Sequence, residues 1–137
     1  MASSKVVLCV GVFDLFHYGH LLHLTAARRS GDVLVVGVTR DAYVNKGPGR
    51  PVFDIFQREA ILRALAIVDR VLQVDGSLDA LRQVKPQIFA VGREYCGKLR
   101  PEDKAHCEAH GIDIVFTAEE RFSSTKLLHH YARLEQS

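Results

Sequence analysis

Five short apolar runs divide the chain: Lys5–Val12, Val33–Thr39, Val68–Val74, Ile88–Val91 and Ile112–Phe116. They are continuously apolar and rich in Val and Ile, the pattern of strands buried on both faces. The intervening segments carry helix signals instead. Leu21, Leu22, Leu24 and Ala27 recur at helical spacing until Gly31 supplies a C-cap. Asp54 with Gln57 three residues later makes a capping box ahead of Ile55, Phe56, Ile61, Leu62 and Leu65. The turn Asp75-Gly76-Ser77 leads into a short helix over Leu78–Val84, Pro101 opens a helix that ends before Gly111, and Ser123 caps a last helix through Leu134. Strands separated by helices require right-handed crossovers, so the predicted fold is α/β: a five-stranded parallel sheet with helices on both faces. With 137 residues, 47% of them hydrophobic, the chain supplies one sizeable core and reads as a single domain over 1–137.

Composition narrows the function classes. Eighteen basic residues against 16 acidic ones leave a net charge of +2, which gives no overall field for nucleic acid or a membrane surface. Any anion site must therefore be local. No apolar run approaches the roughly 18 residues of a membrane span, and Met1-Ala2-Ser3-Ser4-Lys5 lacks a signal-peptide pattern, so a cytoplasmic location is expected. Three cysteines at irregular spacing, Cys9, Cys96 and Cys107, suit free thiols better than a disulfide framework or a metal site.

In a parallel sheet, ligands bind outside the carboxyl ends of the strands. The loops there are Gly11–His20, Arg40–Pro51, Gly92–Arg100 and Thr117–Thr125. The first, Gly11-Val12-Phe13-Asp14-Leu15-Phe16-His17-Tyr18-Gly19-His20, brings two imidazoles three residues apart to a helix N-terminus with unbonded N–H donors. That is a phosphate-binding arrangement. Gly19 admits close backbone approach, and both rings can donate to oxygens whose charge grows in a transition state. Neither a His-Glu-x-x-His segment nor a cysteine pair accompanies them, so no protein metal site is expected.

The Gly-x-Phe-Asp segment of Gly11–Asp14 followed by His17-x-Gly19-His20 resembles the signature of the cytidylyltransferase-like nucleotidyltransferases. Phe122-Ser123-Ser124-Thr125-Lys126-Leu127 is similar to that family's second signature, a Ser/Thr cluster opening the last helix. The resemblance runs from Val6 to Tyr131 and is greatest to compact glycerol-3-phosphate cytidylyltransferases and the adenylyltransferase domain of ADP-heptose synthase. It implies a Rossmann-like fold and transfer of CMP or AMP from CTP or ATP to a small phosphorylated alcohol or sugar, with release of pyrophosphate. An adenylyltransferase of the heptose-phosphate or FMN type, and a catalytically silent nucleotide-binding module, are the alternatives.

The resemblance also implies roles. His17, His20 and Lys46 would be catalytic, with Lys46 closing over the triphosphate from its Gly/Pro-rich loop. Gly11, Phe13, Asp14, Gly19, Gly92, Ser123, Ser124 and Thr125 would bind nucleotide. Arg58 joins them because a cation in the first turn of a helix opposes the helix dipole and is better explained by a phosphate. Arg93, Lys98 and Arg121 would contact the second substrate. Magnesium would arrive on the nucleotide phosphates. A homodimer is expected, as in compact relatives. Two departures stand out from the glycerol-3-phosphate enzymes: Ala66-Ile67-Val68-Asp69 replaces Arg-Tyr-Val-Asp, and Ala118-Glu119 replaces an Arg-Thr pair.

Overall fold

A computed structural model describes residues 4–117. The apolar runs become β1 (Val6–Gly11), β2 (Val33–Thr39), β3 (Arg70–Val74), β4 (Ile88–Gly92) and β5 (Asp113–Thr117). The helices between them are α1 (Tyr18–Arg29), α2 (Ile55–Arg63), α3 (Ser77–Val84) and α4 (Pro101–His110). All strand pairs are parallel, in the order β3-β2-β1-β4-β5. The expected α/β sheet is what forms. The Ser123–Leu134 helix lies outside the described residues.

Alternation along each strand assigns the two faces. Val7 and Cys9 of β1 join Leu34, Val36 and Val38 of β2 against Leu24 and Ala27 of α1 and Ile55 and Leu62 of α2. Leu8 and Val35 point the other way, onto Ala80 and Leu81 of α3 and Cys107 of α4. Both faces are thus covered, which is why the runs are apolar throughout. Among the described residues no helix is long and apolar enough to cross a membrane. Cys9 and Cys107 lie within the core and Cys96 is exposed.

Helix ends follow their local chemistry. Gln57 N–H donates to Asp54 Oδ1 at 2.9 Å and Asp54 N–H to Gln57 Oε1 at 3.0 Å, completing the capping box. Pro101 opens α4 and Gly111, at φ 64°, ends it in the left-handed conformation. Some boundaries differ: β3 begins at Arg70 rather than Val68, and the C-cap of α1 is Ser30 in the right-handed conformation rather than Gly31. Helix α1 starts at Tyr18, inside the histidine motif, because His17 itself serves as the cap.

The chain runs outward from β1 to β2 and β3, then α3 returns it to β4 on the far side of β1. Strand order therefore reverses between β1 and β4. The loops leaving these two strands diverge and open a crevice at their carboxyl ends.

Candidate active site

A cleft of about 870 Å³ occupies that crevice. Its lining includes Gly11, Phe13, His17, Gly19 and His20 from the β1–α1 junction, Lys46 from the loop after β2, and Gly92 and Lys98 after β4. Three of the four expected loops contribute, joined by Asp75–Ser77 after β3; of the fourth, Thr117–Thr125, only Thr117 lies within the described residues. Tight backbone shapes the first of them: Phe13 and Leu15 hold φ of 53° and 52°, a conformation that costs about 1–3 kcal/mol for non-glycine residues and clusters at functional sites.

The two histidines form their own capping box. Gly19 N–H donates to His17 Nδ1 at 3.0 Å, and His17 N–H donates to His20 Nδ1 at 3.2 Å. Each Nδ1 is an acceptor, so each neutral ring carries its proton on Nε2. The rings stack with centroids 3.9 Å apart, and Phe13 and Phe16 flank His20. Burial, then the neighbouring charges of His17, Lys46 and His23, push the His20 pKa down to about 3 against an opposing pull from Asp14. Burial and then Lys46 lower His17 as well. At neutral pH both side chains are therefore neutral Nε2–H donors.

This has a measurable consequence for stability. An unfolded chain protonates His20 near its ordinary 6.5, whereas the folded chain resists protonation until about 3. The unfolded state binds more protons across that window, so the histidine's contribution is fully present above 6.5 and is lost as pH falls toward 3. Urea unfolding of the wild type and His20→Gln at pH 7 and pH 4.5 should show a smaller acid loss in the variant; equal losses would mean that His20 titrates normally.

Lys46 sits on an exposed loop, yet partial desolvation of its ammonium and then Arg50 lower its pKa, partly countered by Asp14. Asp14 does not line the cleft. Its buried carboxylate accepts from Val52 N–H at 2.7 Å, Phe53 N–H at 2.9 Å and Arg50 Nε at 2.8 Å. Burial alone would raise its pKa; the Phe53 and Val52 N–H bonds and then Arg50 reverse the sign and hold it below the usual value. Asp14 thus tethers the return of the Lys46 loop to the histidine motif.

Arg58 requires a correction. It is fully buried: Nε donates to Phe53 O at 2.9 Å, Nη1 to Val12 O and Thr39 O at 2.8 Å each, and Nη2 to Asp41 Oδ1 at 2.5 Å. Every arm of the guanidinium is committed to protein oxygens, and the side chain is absent from the cleft wall. The sequence argument assigned Arg58 to phosphate rather than to stability, whereas its partners are three backbone carbonyls and the Asp41 carboxylate.

Lys98 reaches the cleft, whereas Arg93, on the short 3₁₀ turn after β4, does not line it. Arg121, Ser123, Ser124 and Thr125 lie outside the described residues. Sequence reasoning overlooked His23, one helical turn beyond His20, whose Nδ1 lies 2.8 Å from Thr117 Oγ1 and links α1 to the end of β5. Its i+3 spacing from His20 was the available signal. Arg100, Ser77 and Asp103 of the cleft wall had no comparable local mark.

Residues 8–130 match the family described as Cytidylyltransferase-like, which is 123 of the 137 positions. The chain belongs to this family. It is 38% identical over 130 residues to the bifunctional protein HldE of Campylobacter jejuni strain RM1221, an alignment covering 92% of this chain and 27% of that protein. To HldE of Streptomyces coelicolor it is 42% identical over 129 residues, covering 91% and 28%. The chain thus spans little more than a quarter of the length of these relatives. Among solved structures, the chain is similar to the lipopolysaccharide core biosynthesis protein of Thermoplasma volcanium. The TM-score is 0.72 and the identity 29%, with 87% of this chain and all of that one covered. Pantothenate synthetase of Thermus thermophilus shares the fold alone, at 16% identity and a TM-score of 0.58.

Proposed function

We propose that this chain is a nucleotidyltransferase that transfers AMP or CMP from a nucleoside triphosphate to the phosphate of a small phosphorylated sugar or alcohol. One observation carries the reading: two stacked, neutral histidines at the start of α1 present Nε2–H donors beside Lys46 in the cleft. An acceptor phosphate oxygen bonds to the α-phosphorus as the bond from that phosphorus to the bridging oxygen breaks, and pyrophosphate leaves. An ionised phosphate needs no base, so the chain acts by positioning and by stabilising charge. The His17 and His20 donors serve the α-phosphate oxygens as their charge grows, and Lys46 serves the departing phosphates. Gly11, Gly19 and Gly92 provide close backbone approach, and Ser123, Ser124 and Thr125 belong to the phosphate-binding part of the proposal. Of the two nucleotides, the HldE relatives and the resemblance to the adenylyltransferase domain of ADP-heptose synthase favour ATP.

Among the described residues no three His, Cys, Asp or Glu side chains cluster for a metal, and the Asp14 carboxylate is already occupied by three donors. The donor set fits magnesium carried by the nucleotide phosphates, where it would neutralise their charge, rather than a cation caged by protein. A cytoplasmic homodimer completes the proposal.

Pyrophosphate release, measured with ATP and CTP against a panel of phosphorylated sugars and alcohols, tests the function. Release with one pairing supports it. Nucleotide binding without release from any pairing would favour the silent binding module. Lys46→Met retains the aliphatic stem and removes the ammonium. It should lower kcat/KM by about 2–4 kcal/mol of transition-state stabilisation and leave the Tm of the free protein nearly unchanged. Lost stability with retained turnover would make Lys46 structural.

A further inference from the structure

Helices α3 and α4 run from the cleft to the opposite edge of the sheet. Their first turns meet in the cleft wall, where Ser77 Oγ donates to Asp103 Oδ2. Their last turns flank a second groove of about 740 Å³, at the amino ends of β4 and β5. Arg82 and Lys85 at the end of α3 line it together with His106 and His110 of α4, beside the buried Pro86 and Ile112. Among the described residues no carboxylate lines this groove. Asp79, three residues before Arg82, is taken by Asp75 N–H and Gln83 Nε2, both at 2.9 Å. Arg82 and Lys85 are exposed and make no hydrogen bond or ion pair among the described residues. The His106 and His110 rings stack with centroids 4.2 Å apart, and His110 Nδ1 donates to His106 O at 3.3 Å.

Helix-end electrostatics explains part of this cluster, since the dipole favours a cation in the last turn, as at Arg82 and His110. It does not explain Lys85. That residue ends α3 at φ 51°, a left-handed conformation that a Cβ resists, where α4 uses Gly111 at φ 64°. The two helix ends bring roughly half a negative charge each, which the two permanent cations exceed. Burial, then His110 and Arg82, hold the His106 pKa below its ordinary value against Asp103, so at neutral pH the ring is neutral and adds one N–H donor. We propose that this groove is a second anion site, remote from the cleft, which binds the phosphate of a small phosphorylated molecule through Arg82, Lys85 and His106. A phosphate dianion matches the two cations, and its tetrahedral oxygens can accept from all three side chains. The volume is that of a small-molecule site, about 300–1,000 Å³. None of these residues lines the cleft, so the site stands independently of the nucleotidyl-transfer reading.

The test is a titration of the isotope-labelled intact chain with inorganic phosphate, followed by amide NMR, with sodium chloride at matched ionic strength as the control. Saturable shifts are expected at Arg82, Lys85, His106 and Gly111, read separately from any at Gly19 and Lys46 in the cleft. Arg82→Gln and Lys85→Gly should each weaken the groove titration about tenfold, the loss of one charge-assisted hydrogen bond, and leave shifts in the cleft unchanged. Lys85→Gly relieves the left-handed backbone, so its Tm should be no lower than that of the wild type while phosphate binding falls. Shifts reproduced by chloride, shifts confined to the cleft, or groove titrations unaltered in both variants overturn the inference. Sedimentation with phosphatidylcholine vesicles containing phosphatidylglycerol separates the other source of phosphate: vesicle binding lost in the variants, without a groove titration by inorganic phosphate, would assign the face to a membrane surface and overturn it too. Absence of pyrophosphate release from every pairing, with the groove titration intact, would sink the nucleotidyl-transfer reading and leave the second site standing.

Discussion

His20→Gln and His17→Asn are each expected to lower kcat by at least about a hundredfold, with a much smaller change in nucleotide affinity. These substitutions separate two roles that alanine would confound. His17 Nδ1 caps Gly19 N–H and His20 Nδ1 receives His17 N–H, so truncation of either ring also uncaps the helix, at about 1 kcal/mol. Asparagine at the cap and glutamine three residues later can rebuild the box through their amide oxygens but cannot place an N–H where Nε2 stood. Helix stability should therefore persist while turnover falls. Steady-state kinetics beside urea unfolding decides the matter: near-normal kcat in a stably folded His20→Gln would remove the imidazoles from the chemistry. Because both pKa values are depressed, the acid limb of kcat/KM should also lie below the 6.5 of an ordinary histidine.

Arg58→Met carries the other large effect, and it falls on stability. Four donor contacts from one buried guanidinium join the end of β1 at Val12, the end of β2 at Thr39 and the segment before α2 at Phe53, with Asp41 as the counter-charge. Methionine fills much of the volume but leaves three carbonyls unsatisfied. We expect a loss of about 3–5 kcal/mol in chemical denaturation, from three carbonyls left without a donor at about 1–3 kcal/mol each. Arg58→Lys should recover little of it, since a single ammonium cannot span the fork of acceptors. A variant of unchanged stability but weakened triphosphate binding would return Arg58 to the phosphate site.

The sequence by itself determined what depends on neighbours in the chain. Continuous apolar runs marked strands buried on both faces, Asp54 with Gln57 and Pro101 with Gly111 marked helix ends, and His17-x-Gly19-His20 marked two imidazoles at a helix N-terminus. Each is a contact or a periodicity within about one helical turn, so the residue types suffice to read it. Only the tertiary structure decided the rest, because the partners are remote in sequence. Asp14 bonds to residues up to 39 positions away, Arg58 to one 46 away, and His23 meets Thr117 at a separation of 94. Ser77 finds Asp103 only because α3 and α4 cover the same face of the sheet. An arginine placed against a helix dipole looks the same in sequence whether it faces a phosphate or three buried carbonyls. Burial separates the two, and burial is set by how the loops after β1 and β2 close over the first turn of α2.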